Sequence, residues 1–261
     1  MIEESEALLF ARAEDLLRRA ERGEIVYGKF LTPREEMLIR RRFAGEGERY
    51  LFWGGYAAAE RKRVYCLPPY FADMDEPCRA EPLSDAFAES TISLSIEGSG
   101  YRELSHRDFL GALLHSGLSR DALGDVALLS PFRAVTFCGA EIAAFLEENL
   151  SRVANDAVRV SRIALPPDFD GGKRYKHISD TVPSPRADAV VAALAHLSRE
   201  RAKELFAAGK IEIDYETEER GDYRVVPGTV IVISGVGKFT VRDVSDQTRK
   251  GRYRLLADQH I

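Results

Sequence analysis

Cysteine is scarce in this chain, and what there is cannot organise a site. Cys66, Cys78 and Cys138 are the only three in 261 residues. They are odd in number, far apart and never spaced as C-x-x-C, which excludes a zinc ribbon and a disulfide framework. They read as reduced thiols, as expected of a cytoplasmic protein. No apolar run approaches the roughly 18 residues needed to span a bilayer. The opening MIEESEALLFARAEDLL is acidic and amphipathic, unlike a signal peptide with its basic head and apolar core. Histidine occurs five times and never at a spacing that selects a Ser-His-Asp or Cys-His set. Cationic excess is missing too: 37 Lys and Arg face 42 Asp and Glu, a net charge of −5, which argues against a nonspecific nucleic-acid coat.

Hydrophobic residues make up 45% of the chain, enough for real cores. Its length suits two or three modest domains. Charge is unevenly placed. Residues 181–261 hold 13 Lys and Arg against 12 Asp and Glu, leaving 24 against 30 in residues 1–180. The C-terminal third is therefore the better candidate for contacting phosphate.

Periodicity predicts an α+β chain. Residues 3–22 and 33–43 read as helices, the first with Leu8, Leu9, Ala13, Leu16 and Leu17 on one face, the second capped by Thr32 with Pro33 at its first position. YLFWGGYAAAERKRVYCLPPYF suggests short strands around a turn, completing an N-terminal helical and hairpin region over 1–75. The polar DMDEPCRAEP (73–82), with two prolines, reads as a boundary. From 83 to 165 the order is strand (90–97), helix (106–116), two strands (124–130, 132–138), helix (140–150), strand (157–165). That is the β-α-β-β-α-β pattern of ferredoxin-like, RRM-like domains. Such domains stack RNA bases on sheet aromatics; the inner strands here offer Phe132 and Phe137, residues more often found in a core. Residues 166–185, rich in Pro, Gly and charge, read as a linker. Two helices follow, with Ala187, Val190, Val191 and Leu194 on one core face and Ala202, Leu205 and Phe206 on the other, the second capped by Ser198 and stopped by Gly209. Short strands complete residues 186–261.

His106-Arg107-Asp108 imitates a catalytic loop. A kinase loop needs Asn five residues after its Asp; Leu113 stands there, and no D-F-G or glycine-rich phosphate loop accompanies it. In the H-R-L-D stretch of pseudouridine synthases the aspartate comes one residue later, so Asp108 would face another way. Ser105 followed by Asp108 is instead a capping box for a helix burying Phe109, Leu110, Leu113 and Leu114. That leaves Arg107 at an exposed first turn suited to phosphate. SGVGKF (234–239) lacks the spacing of a Walker loop, and Asp168 and Asp170 lack the further ligands of an EF-hand. No catalytic residue, metal site or cofactor is expected.

PRADAVVAALAHLSRERAKELFAAGKIEIDYET...YRVVPGTVIVI resembles the small RNA-binding domain named after ribosomal protein S four. Arg186, Asp188, Ser198, Arg199, Ala202, Leu205, Gly209, Ile211, Val225, Gly228, Ile231 and Ile233 carry the likeness. Ala187, Asp214-Tyr215 and Thr229 depart from it, at positions usually Leu, Asn-Gly and Asp. Arg199 and Lys203, four apart, share a helix face; in a bland reading they merely pair with Glu200 and Glu204. FWGGYAAAERKRVYCLPPYF, LSHRDFLGALLHSGLSRDALGD and GVGKFTVRDVSDQTRKGRYRL together resemble the bacterial YlmH-type proteins. This resemblance implies a non-catalytic, monomeric, cytoplasmic RNA-binding factor with no membrane contact. Its partners would be rRNA and tRNA on the large ribosomal subunit, in ribosome-associated quality control, where it supports alanine tailing of stalled chains. The RNA contacts expected from it are Arg186, Ser198, Arg199, Lys203 and Lys210, extended by Arg249, Lys250 and Arg252, with Arg107 added from the middle domain. An RNA-modifying enzyme and a division-linked interaction protein are the competing expectations.

Overall fold

The computed structural model describes residues 2–245, 248 and 251–261. The chain forms two compact units, Met1–Gly172 and Lys173–Ile261.

The first unit starts with α1 (Ile2–Ala20), β1 (Val26–Leu31) and α2 (Pro33–Arg42). Thr32 caps α2 as the sequence predicts. Its hydroxyl accepts from the Glu35 amide at 3.3 Å, and the Glu35 carboxylate accepts from the Thr32 amide at 2.6 Å. Pro33 sits where a helix has no use for an N–H. On α1, Ala13 is buried but Leu8 is 52% exposed, outside the expected apolar face. β2 (Tyr50–Trp53) and β3 (Lys62–Cys66) join β1 in an antiparallel sheet of order β1-β3-β2. Ala13, Ala20, Leu31, Ile39, Val64 and Cys66 form the core between this sheet and the helices.

The 73–82 stretch, expected as a boundary, instead leads into α3 (Glu76–Ser90). Pro77 occupies the first turn, where it costs no hydrogen bond, and Pro82 forfeits a single one. Packing supports the helix: Trp53 stacks on Phe87 at 5.4 Å, and Tyr65 meets the same ring edge-on at 4.8 Å.

The predicted β-α-β-β-α-β order follows: β4 (Ile92–Gly98), α4 (His106–His115), β5 (Leu123–Ser130), β6 (Arg133–Cys138), α5 (Ala140–Asn149), then a two-residue β7 (Arg152–Val153) before β8 (Asp156–Arg162). The antiparallel sheet runs β5-β6-β4-β8-β7. Its four main strands thus lie in the order second, third, first, fourth, as two interlocked split βαβ units require. α4 and α5 seal one face over Leu94, Ile96, Phe109, Leu113, Ala143 and Leu146. Leu114, expected in that core, is 37% exposed.

The other sheet face is closed from within the same unit. Phe30, Tyr56 and Ala59 pack on Ala127, Val135 and Phe137, with Ile163, Leu165 and Phe169 beside them. Asp125 on β5 fastens this cover. It accepts from the Tyr56 hydroxyl at 2.7 Å and from the Glu60 and Arg61 amides at 2.8 and 2.9 Å.

The capping box at the start of α4 is present as the sequence predicts. The Asp108 carboxylate accepts from the Ser105 amide at 2.8 Å, and the Ser105 hydroxyl accepts from the Asp108 amide at 3.3 Å. Those bonds, with Arg102 and Arg107 nearby, hold the Asp108 carboxyl below its usual range. Ser105→Ala is therefore expected to cost about 1 kcal/mol of unfolding free energy, measured by urea denaturation. The benefit from Asp108 should disappear as pH falls through the carboxylate range, because its folded pKa is depressed.

The second unit comprises β9 (Tyr175–Val182), α6 (Ala187–Leu194), α7 (Arg199–Ala207), β10 (Ile211–Ile213), β11 (Glu216–Thr217), β12 (Val230–Ile233), β13 (Gly237–Asp243) and β14 (Tyr253–His260). The sheet order is β11-β10-β12-β13-β14-β9. Part of the expected 166–185 linker is thus an edge strand, paired with β14 from Tyr253↔Val182 to His260↔Tyr175. Its polar outer residues hide the alternation, since Val182 alone in β9 is fully buried. α6 and α7 press Ala187, Val190, Val191, Leu194, Ala202 and Phe206 onto Ile211, Ile231, Ile233, Phe239 and Val241. Asp214 and Tyr215 both adopt positive φ (49° and 67°) in the two-residue turn from β10 to β11. The Asp214 carboxylate steadies this turn by accepting from the Val230 amide at 2.9 Å.

Candidate nucleic-acid interface

The site is built on the start of α6. Arg186 precedes the helix as its cap residue, and Asp188 lies in the first turn. The backbone is pinned there by Ala187 N–H to Tyr223 O and Asp188 N–H to Gly221 O, both 2.9 Å. Gly221 must be small, because an added Cβ would lie 2.8 Å from that of Asp188. Asp188 is fully buried. Its Oδ2 accepts from Arg199 Nη2 at 2.7 Å, and Arg186 donates to Oδ1 and Oδ2 at 3.3 and 3.4 Å. Burial pushes the carboxyl pKa up, but the bonds and charges of Arg199 and Arg186 outweigh it, and the net shift is downward. Asp188 therefore stays ionised and fixes both guanidiniums, whose side chains remain 47% and 45% exposed. Each guanidinium has five N–H donors, so most are left for an external anion.

Ser198 caps α7, its hydroxyl accepting from the Arg201 amide at 3.2 Å. That hydroxyl serves the helix first. Lys203 donates to Glu200 at 2.9 Å and Arg201 pairs with Glu204. The bland pairing thus holds for Lys203, whereas Arg199 turns to Asp188. Lys210 lies just past the end of α7, exposed, its backbone bonded to Leu205 O and Ser234 N–H at 3.0 Å each. Arg252 donates to the Thr181 carbonyl at 2.6 Å and the Thr181 hydroxyl at 3.0 Å. It lines, with Arg199 and His196, a cleft of about 320 Å³ between the end of β9 and the α6–α7 junction. The fold thus brings Arg186, Arg199 and Arg252 to one region. Arg249 and Lys250 lie outside the described residues.

Sequence reasoning missed two members. Asp188 matched a motif without being given a role; its signal was the pairing of Arg186-x-Asp188 with Ser198-Arg199. His196 has positive φ (54°) at the end of α6, a conformation its residue type does not announce.

In the first unit Arg107 projects from the exposed first turn of α4. Base stacking on Phe137 is excluded by the fold. That ring is fully buried, stacked on Tyr56 at 5.2 Å with Phe169 beside it, whereas Phe132, in the turn between β5 and β6, is exposed. Cys66, Cys78 and Cys138 are all free. Burial pushes the Cys66 and Cys138 thiols up to about 12, far from a reactive thiolate. Among the described residues, no group of His, Cys, Asp and Glu could hold a metal, and no helix is long and apolar enough to cross a membrane.

Residues 85–166 match the family described as "Putative RNA-binding domain in YlmH". This stretch is similar to the YlmH RNA-binding domain. The match spans β4 to β8, the split βαβ sheet with its two helices. A Bacillus subtilis (strain 168) relative, "Ribosome-associated protein quality control protein P2", is 28% identical over 226 residues, covering 87% of this chain and 84% of its own. A solved structure, "Cell division protein ylmH from Streptococcus pneumoniae", aligns at 17% identity with a TM-score of 0.48, over 61% of this chain and 92% of that one.

Proposed function

We propose that this protein is a non-catalytic, cytoplasmic RNA-binding factor of ribosome-associated quality control. It would act as a monomer on the large ribosomal subunit, contact rRNA and peptidyl-tRNA, and support alanine tailing of stalled chains. In this reading residues 83–165 are a ferredoxin-like RNA-binding domain and residues 186–261 an S-four-type domain with a β extension. The observation that carries it is the buried Asp188 presenting Arg186 and Arg199 beside the cleft that also holds Arg252. An internal anion that orients two half-exposed guanidiniums supplies preorganised phosphate contacts, which set position on an RNA backbone rather than reading its bases. Ser198 and Lys203, on the same helix as Arg199, and Lys210 just past its end would add further contacts. The likeness to a relative named for ribosome-associated quality control supports the choice of partner.

Arg199→Glu combined with Lys203→Glu is expected to abolish cosedimentation with large ribosomal subunits. The wild-type association should itself fall about 10³-fold between 50 and 200 mM salt if some six phosphates are contacted. Unchanged cosedimentation of the double variant would overturn this assignment of the binding face.

A further inference from the structure

The cations of the YlmH-type domain fall into two groups. Arg133 pairs with Glu97 at 3.3 Å and Arg162 with Glu147 at 3.0 Å. Arg120 is spent on the Leu123 and Gly124 carbonyls at 2.9 and 2.7 Å. Among the described residues the side chains of Arg102, Arg107, Arg152 and Arg159 make no hydrogen bond or ion pair, and all four are exposed; Arg107 acts on the Asp108 carboxylate only as a nearby charge. Of these, Arg107 and Arg152 line one open cleft, about 540 Å³, between α4 and the turn from α5 to β7. The one carboxylate in that lining, Asp108, is tied to the Ser105 amide and hydroxyl at 2.8 and 2.6 Å.

The remaining polar groups of the cleft are biased towards accepting. His115 Nδ1 lies 2.7 Å from the Gly111 carbonyl. A carbonyl only accepts, so Nδ1 carries the proton, and in that tautomer Nε2 is the ring's acceptor. The Asn149 amide nitrogen donates to Phe145 O at 2.8 Å, leaving its Oδ1 to accept. The Ser116 hydroxyl donates to Ala112 O at 3.0 Å, which leaves its lone pairs. Two unpaired guanidiniums beside three acceptors suit phosphates with neighbouring hydroxyl donors. A ribose-phosphate backbone carries both, and deoxyribose lacks the 2′-hydroxyl. The sheet face that such domains commonly offer is meanwhile shut by Tyr56 and Phe169 over Phe137.

We propose that the cleft between α4 and the α5–β7 turn is the RNA-contacting surface of the YlmH-type domain. Arg107 and Arg152 hold phosphates, and His115 Nε2 with Asn149 Oδ1 accept from 2′-hydroxyls. The proposal rests on reading this domain as RNA-binding, and it replaces stacking on the sheet with backbone recognition on the helical side.

The test uses the full chain, a fluorescein-labelled 20-nucleotide single-stranded RNA of mixed sequence and its DNA counterpart, read by anisotropy across a salt series. Arg107→Glu with Arg152→Glu should weaken RNA binding about tenfold and reduce the slope of log K against log salt by about 1.4, two single-strand contacts. His115→Ala should lower RNA affinity several-fold and leave DNA affinity alone. RNA binding within twofold of wild type in the arginine pair, with binding lost in Arg199→Glu/Lys203→Glu, would overturn the cleft and leave the C-terminal reading standing. The reverse pattern would support the cleft and sink that reading. Equal losses on RNA and DNA for His115→Ala would overturn the 2′-hydroxyl contacts. Arg107→Gln with Arg152→Gln, matched to wild type in melting temperature, separates lost contacts from lost folding and should still reduce the slope.

Discussion

An alanine at Phe137 is expected to destabilise the first unit by about 3–5 kcal/mol, the cost of truncating a fully buried aromatic ring. Phe137 has no exposed surface and is held between Tyr56 and Phe169 at centroid distances of 5.2 and 6.3 Å. Its neighbours cannot close the gap cheaply. Tyr56 is tied to Asp125, and the Glu60 and Arg61 amides fix the same loop to the same carboxylate. A cavity should therefore persist, and persistent cavities sit at the upper end of the range. Gly55→Ala attacks the contact from the other side. At φ +99°, its added Cβ would lie 2.2 Å from the Phe137 ring. Trp53, the sole tryptophan, is stacked on Phe87 within this unit, so urea unfolding followed by its fluorescence reports the right transition. A loss under 1 kcal/mol for Phe137→Ala would mean that the sheet face is not sealed, and the argument for RNA recognition on the helical side would lose its premise.

Asp188→Ala should destabilise the second unit by about 2–3 kcal/mol. Removing one member of a buried ion pair costs about 3–5 kcal/mol when the partner charge is stranded; here Arg186 and Arg199 are half exposed and can turn to water, which lowers the figure. Far-UV circular dichroism should shift while the Trp53 transition stays in place. The effect on RNA runs against simple electrostatics. The substitution adds one positive charge, so charge alone predicts tighter binding. If Asp188 acts by orienting the arginines, affinity falls instead, because each guanidinium must then be ordered at the moment of binding. Affinity measured at two salt concentrations decides between the two. The folded pKa of Asp188 is depressed, so its stabilisation is complete above the unfolded value near 3.9 and is lost as pH falls through the folded one. Wild type should lose stability below about pH 4 more steeply than Asp188→Ala.

Local chemistry made several features legible. Thr32-Pro33 and Ser105-x-x-Asp108 are complete capping instructions, since side chain and amide lie within three residues of each other, and both boxes are present. The β4–β8 order emerged because β4 alternates, β5 and β6 are short apolar runs split by Ser130-Pro131, and each helix carries one apolar stripe. α6 was visible as Ala187, Val190, Val191 and Leu194, all buried. β1 was not visible, because its pairing with β3 is interrupted by a bulge between Tyr27 and Phe30 that breaks the alternation. α3 was hidden by prolines whose cost is met by contacts to Trp53 and Tyr65, residues far from it in sequence.

What the sequence determined by itself was therefore the order of the main elements over 92–162 and 187–207, and the Ser105 and Ser198 caps among them. Those depend on interactions a few residues long. The tertiary structure decided which surfaces remain available. The 54–61 loop closes the sheet over Phe137, β9 completes the second sheet, and Asp188 reaches 11 residues along the chain to Arg199. Whether a cation is spent or free depends on what long-range packing brings beside it. Arg107 and Arg152 look no different in sequence from Arg133 and Arg162; only the last two meet a carboxylate.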